Sequence, residues 1–393
     1  MSLKTLFEET TFLLGAGASK EADCLLSSEM LSELKNKIED ARVYEDSIYK
    51  IYSESQKSFC QIFNFIIASL NYQNTLKNPF YDNSEKNIED FVFVLKQLMD
   101  KEYIVPYPLV GNWNTKITNW EIKNKNIFRD FKNFITSLLI NEWTKHDIEK
   151  TRNLLKPIKD MITISDFFKI NIFSLNYDLT FEGEFLSKDE TLLDNGFSSK
   201  MGDESLSVKY WASNYNDVNS PAKLNLYKLH GSLNWDYDVE NEEIVIKNDI
   251  YDGREPFIIF GSYYKMLSFD PFLFMLSAFR NSLQKSKLFV AIGYSFNDRY
   301  INNLIIQQLM ADPIKKLIVV SPGQKSADDF VLGLKLKQES TSVNELINFK
   351  NMNPDKIMTL SKTTSEFYNE YLSDSARGLN EIYEEMIKEG DVF

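Results

Sequence analysis

The segment Thr10-Thr11-Phe12-Leu13-Leu14-Gly15-Ala16-Gly17-Ala18-Ser19 constrains the fold more than any other stretch of the chain. Its first five residues read as a short buried strand, and the two closely spaced glycines as the turn that ends it. A helix is predicted to follow through Ser28-Glu29-Met30-Leu31-Ser32-Glu33-Leu34. Strand, glycine turn and helix in that order open a doubly wound parallel sheet. Backbone without a Cβ can approach a phosphate closely, assisted by the free N–H groups and dipole of a helix N-terminus. The segment lacks the third glycine of the common dinucleotide fingerprint, so taken alone it is also readable as a plain tight turn.

The pattern downstream extends this reading to an α/β fold, a doubly wound Rossmann-like parallel sheet. Strand signals return at 170–174, 256–261 and 288–292, and Leu317-Ile318-Val319-Val320 reads as the last clear strand. Helices are predicted at 270–283 and 299–309. Residues 31–164 carry helical segments at 48–70, 88–99 and 127–155 with few strand signals, which predicts a large helical insertion. Pro106, Pro108, Gly111 and Trp113 mark a loop near its middle. Residues 190–256 read as an irregular β-containing cap with short strands near 208–211, 224–229 and 244–246. Residues 336–393 read as a helical, acidic C-terminal region with an apolar face of Phe367, Tyr368, Tyr371, Leu372, Leu379, Tyr383 and Met386. The core of the sheet is assigned to residues 1–30 and 165–335.

A chain of 393 residues with 43% apolar residues can bury a substantial core. Its 44 Lys and Arg against 57 Asp and Glu give a net charge of −13, which opposes general binding to nucleic-acid backbones. Lys123, Lys125 and Lys132, scattered among acids and aromatics, read as a solvated face. Cys24 and Cys60 are the only cysteines, so a disulfide framework is not expected. Lys4, Glu8 and Glu9 surround the short N-terminal apolar run, which does not read as a signal peptide, and no stretch approaches the roughly 20 apolar residues of a membrane span. A cytoplasmic protein without a membrane partner is expected.

Polar residues cluster where strands end. In Ser174-Leu175-Asn176-Tyr177-Asp178, the Asn and Asp either face a ligand crevice or form an Asx turn. Tyr177 either packs inward or stacks on a ligand, and His146 reads as a surface residue. His230, one of two histidines, follows the alternation 224–229 and precedes Gly231, at or just past a strand end. A lone histidine can be structural, but a near-neutral imidazole is also a general base. Gly293-Tyr294-Ser295-Phe296-Asn297-Asp298 follows an apolar strand and precedes a helix that Asp298 or Asn297 could cap. Ser321 is a weaker candidate of the same kind.

Taken together and in this order, the segments 15–19, 176–178, 230–231 and 293–298 resemble those of sirtuins. They are most similar to the sirtuin-like (Sir2-type) bacterial NAD-hydrolase family of anti-phage defence, over residues 8–35 and 165–325. The resemblance implies that Gly15, Ala16, Gly17, Ala18 and Ser19 hold the NAD pyrophosphate. It implies that Asn176 and His230 are catalytic, that Asp178 orients the nicotinamide ribose, and that Gly293, Ser295 and Asp298 contact the adenosine side. NAD would be the substrate of an NAD glycohydrolase that releases nicotinamide and ADP-ribose. Two cysteines cannot supply the four thiolates of the deacylase zinc ribbon, so no zinc is expected. The Gly-Ile-Pro and Phe-Arg elements of the deacylases have no counterpart in 20–25. The resemblance further implies a homo-oligomer or a partner protein such as a HerA-type ring ATPase, with no direct nucleic-acid binding. A catalytically silent NAD- or ADP-ribose-sensing subunit and an NAD-dependent deacylase are the alternatives.

Overall fold

The computed structural model describes residues 3–46, 48–77, 86–100, 113–164, 169–186, 192–198, 208–212, 222–247, 255–261, 269–323, 326–332, 353–372 and 377–390. The chain divides into two compact units. One comprises Met1–Cys24, Lys145–Ile258 and Lys265–Phe393, and the other Leu25–Thr144 and Ile259–Tyr264.

The first unit contains strands β1 (Thr10–Leu14), β2 (Ile170–Ser174), β3 (Leu193–Asp194), β4 (Phe197–Ser198), β5 (Val208–Trp211), β6 (Leu224–Lys228), β7 (Trp235–Asp238), β8 (Glu243–Lys247), β9 (Leu288–Ile292), β10 (Lys316–Val320) and β11 (Ile357–Leu360). Seven of them form a parallel sheet in the order β11-β10-β9-β1-β2-β6-β3. β1, β6, β9 and β10 are buried at every position, as strands covered on both faces must be. Successive strands lie to one side of β1 and later ones to the other, so the topological switch point falls between β1 and β9. The register aligns the strand ends: Lys228, Ser174, Leu14, Ile292, Val320 and Leu360 are successive partners across the sheet.

On one face, Phe12, Leu14, Ile172, Leu226, Val290 and Ile318 belong to the main hydrophobic core. The opposite face meets the helix Phe272–Lys285, whose Phe279 ring lies 5.0 Å from Phe173, while Thr11 shares hydrogen bonds with Ser282 and Ser286. β4, β5, β8 and β7 form a separate antiparallel sheet in which Phe197 meets Trp211 edge-on and Trp235 at a tilt.

Several assignments made from sequence shift here. The run at 224–228 is not part of a cap but a full member of the parallel sheet, since its strand neighbours β2 and β3 lie far away in sequence. Phe257 and Ile258 do not rejoin the sheet; Ile258 makes only an isolated bridge to Gly231. The strand at 316–320 is not the last, because β11 pairs parallel with it from within the C-terminal region. Four residues at a sheet edge, one of them fully buried, carry too little pattern to stand out. The helix Ile148–Ile164, grouped with the insertion on sequence, puts Leu154, Leu155, Ile158, Met161 and Ile162 into the sheet's core. Their spacing is that of one helix face, but nothing local says what that face covers. The apolar face foreseen near the C-terminus is present: Phe367, Tyr368, Leu372, Leu379, Tyr383 and Met386 join the same core, and Tyr371 packs partly buried against it.

The second unit is helical, with Ser27–Glu39, Gln56–Lys77, Ile88–Asp100, Trp113–Lys123 and Ile127–Leu138. Its core is aromatic: Phe59 stacks on Phe131 at 4.5 Å, and Tyr49 and Tyr52 meet Phe134 edge-on. Lys132 is buried rather than solvated, since only a narrow stripe of Ile127–Leu138 faces water, along Arg129 and Asn133. Lys123 and Lys125 are exposed as expected. Trp113 starts a helix, while Pro106, Pro108 and Gly111 lie outside the described residues.

Because Ile158 is a core residue of the sheet, Ile158→Ala should destabilise the first unit by about 2–5 kcal/mol, read as a lowered urea midpoint.

Candidate functional site

The aligned strand ends bring the polar segments to one edge of the sheet, each beginning within two residues of the shared register row. The turn after β1 and the turn after β9 lie against each other. Gly15 N–H donates to the Ile292 carbonyl at 3.0 Å, and Gly17 N–H to that of Gly293 at 2.9 Å. A Cβ on Gly17 would sit 2.7 Å from Gly293 Cα, and one on Gly293, where φ is +60°, 2.3 Å from Ala18 N. These glycines are therefore required by each other. A bulky residue at 17 would thus meet Gly293 and disturb the fold before it touched a ligand. The helix expected through 28–34 is present as Ser27–Glu39, but a seven-residue 3-10 helix, Ala16–Ala22, lies between it and the turn. Any anion at the turn would meet a few backbone amides rather than the dipole of a long helix.

Asn176, just past β2, is buried and tied to the turn. Its Nδ2 donates to the Gly15 carbonyl at 2.9 Å and to Ser19 Oγ at 3.2 Å. Asp178 uses Oδ1 to accept from Thr180 N–H at 3.1 Å and Thr180 Oγ1 at 2.6 Å, starting the helix Thr180–Phe185. The Asx geometry weighed on sequence is thus present at Asp178.

His230, just past β6, is 5% exposed, and its Nε2 lies 3.0 Å from Asp298 Oδ2. Gly231 must follow it, since φ is +80° and a Cβ there would come within 2.3 Å of the Phe257 carbonyl. Tyr177 is buried with its ring centre 6.5 Å from that of His230. Asp298 also caps the helix Arg299–Ala311, accepting through Oδ1 from Tyr300 and Ile301 N–H at 2.9 and 3.3 Å. The loop before it is firmly held. Tyr294 hydroxyl donates to Asn302 Oδ1 at 2.7 Å, and Asn302 Nδ2 to the Phe296 carbonyl at 2.9 Å. Phe296 adopts φ +54°, which costs a bulky residue about 1–3 kcal/mol and is the kind of strain found at functional loops. Ser295 is exposed, whereas Ser321 donates its N–H to Leu360 on the β11 side.

Beneath Asn176 lies a buried polar layer that sequence reasoning missed. Lys228 Nζ bonds the Asp178 carbonyl and lies 3.5 Å from Glu182 Oε1, with both side chains almost fully buried. Burial pushes the Glu182 carboxyl up, with Lys228 pulling it back. Burial, then Asp178, push the Cys24 thiol far above its ordinary range. The only available signal was a lysine on an otherwise buried strand, two residues before His230. His146 is half-buried rather than on the surface, its Nε2 close against Gly183, and burial lowers its pKa against the pull of Asp178.

Residues 170–338 match the SIR2-like domain. The match supports a Sir2-type family and implies NAD use by an NAD-dependent enzyme. It includes Asn176, Asp178, His230, Gly293, Ser295 and Asp298, while the glycine turn after β1 lies upstream of the SIR2-like segment. Comparison with curated proteins finds no match. Among the described residues no group of three or more His, Cys, Asp and Glu could hold a metal ion, and no helix is long and apolar enough to cross a membrane.

Removing Lys228 strands a buried carboxyl. Lys228→Met should cost about 3–5 kcal/mol in urea unfolding, and Lys228→Met with Glu182→Gln should recover much of it. His146 supplies a pH effect. Its folded pKa lies below the ordinary 6.5, so the stability it contributes is present above that value and lost as pH falls through it and below. The urea midpoint should decline on acidification from about pH 7 to about pH 5, and His146→Gln should flatten that decline.

Proposed function

We propose that this protein is an NAD+ glycohydrolase that releases nicotinamide and ADP-ribose. The observation that carries the reading is the register that sets Asn176 and His230 on the ends of the adjacent strands β2 and β6, beside the switch point where α/β sheets bind ligands. The SIR2-like match over the same residues supports it. Buried Asn and His side chains at a strand edge suit a reaction that breaks a glycosidic bond through an oxocarbenium-like sugar, where positioning and electrostatics outweigh nucleophile strength. Asn176 orients the nicotinamide ribose or the attacking water, and His230 takes the proton released. Asp178, Ser295 and the turns at 15–19 and 293 frame the nucleotide. A general base of this kind contributes about 10²–10⁴-fold.

In this reading the activity serves as an effector of bacterial anti-phage defence. It is restrained by assembly into a homo-oligomer or with a partner such as a HerA-type ring ATPase, which would bring in any nucleic acid that a chain of net charge −13 does not bind itself. One observation favours the second reading, an NAD- or ADP-ribose-sensing subunit: the Asn176 amide donates twice within the protein. Deacylation is less supported, since two cysteines cannot build its zinc ribbon.

The protein, alone and with its genomic neighbour's product, should release nicotinamide from NAD in a chromatographic assay. Asn176→Ala and His230→Ala should each lose at least about a hundredfold in rate while the protein keeps a cooperative thermal unfolding transition. Full activity in both variants would refute the site, and binding without release in every condition would favour the sensor.

A further inference from the structure

The geometry points to Asp298 as a positioning residue that acts through His230, rather than as a contact to the nucleotide. The inference deepens the hydrolase reading and rests on it. The strand order separates β6 from β9 by β2 and β1, a lateral distance of about 14 Å at the usual strand spacing. The loop after β9 reaches across the ends of both intervening strands to bring Asp298 Oδ2 within 3.0 Å of His230 Nε2. Both side chains are buried, at 6% and 7% exposure, so the contact is not a solvated encounter.

The carboxylate is fixed before it meets the imidazole. Oδ1 is held by the N–H groups of Tyr300 and Ile301, and the Asp298 carbonyl shares the Tyr294 hydroxyl, at 3.1 Å, with the closer Asn302 Oδ1. A helix cap needs only one of its oxygens, and Ser, Thr or Asn would serve as well. What a carboxylate adds is a second oxygen, acceptor-only and negatively charged, facing the ring.

An ionised carboxylate opposite Nε2 requires Nε2 to carry the proton, which makes Nδ1 the nitrogen that can accept one. As NAD is hydrolysed, the water oxygen bonds to C1′, nicotinamide leaves with the electrons of the C1′–N bond, and the water's proton passes to Nδ1. The imidazolium so formed is neutralised by Asp298, which itself stays ionised. Asp298 thus sets the tautomer, the ring orientation and the charge balance of the base.

Asp298→Asn separates this role from the alternatives, because Asn preserves the cap but turns an NH2 donor toward Nε2. Only two histidines are present, so 15N-histidine NMR yields two sets of ring signals, which His146→Gln assigns. The proposal requires the Nε2–H tautomer for His230 in the native protein and its loss in Asp298→Asn. It also requires kcat for nicotinamide release to fall roughly a hundredfold or more, with the calorimetric Kd for NAD unchanged within about twofold. Asp298→Ser, another good cap, should behave alike in kcat and Kd. A raised Kd with kcat retained, or a His230 tautomer indifferent to Asp298→Asn, overturns the proposal. If the native protein turns over no NAD, the hydrolase reading fails, and the tautomer measurement still decides whether Asp298 governs His230.

Discussion

The contact between two glycine turns holds this site together. Backbone at 15–17 and at 293 approaches so closely that a single Cβ on either side would fall inside the other turn's atoms. That approach fixes the ends of β1 and β9 at the switch point, and the neighbouring elements take their position from it. Asn176 and Thr364 bond the carbonyls of Gly15 and Gly17, and Ser365 N–H donates to Glu21. Glycine here is selected by sterics between two loops of the protein, which is a different reason from room for a ligand, although both leave the same mark on a sequence.

Polar groups are arranged in two layers around this contact. The outer layer, His230 with Asp298, joins the ends of β6 and β9. The inner layer, Lys228 with Glu182, fastens the backbone at Asp178 to the strand that carries His230. Buried charges of this sort seldom raise net stability over an apolar core. Their use here is geometric, since Lys228 links the two segments whose side chains must act together.

What the sequence disclosed follows from what is locally encoded. β1, β2, β9 and β10 were legible because a strand covered on both faces is a short apolar run bounded by turns, and the strand-end positions of Gly15, Asn176 and Gly293 because each follows such a run, whereas His230 follows the alternating run 224–229. Pairing is not local. That 224–228 joins the sheet, that 357–360 extends it, and that Ile148–Ile164 covers it depend on partners scores of residues away. The His230–Asp298 pair was hidden for the same reason: the two residues are 68 positions apart, and Asp298 already had a sufficient local explanation as a cap. Lys132 and His146 were misplaced because a polar residue on a helix defaults to solvent until the packing around it is known.

The position of β11 has a consequence for the chain as a whole. β10 is buried at every residue and apolar through Leu317, Ile318, Val319 and Val320, and β11 satisfies the hydrogen-bonding groups along its outer side. Without the C-terminal region, that row of N–H and C=O groups would become an open edge beside an uncovered apolar face, a template on which another chain's strand could add. β11 therefore moves the open edge of the sheet from a strand buried at every residue to a four-residue strand in which only Ile357 is buried, a shorter and less apolar template for pairing.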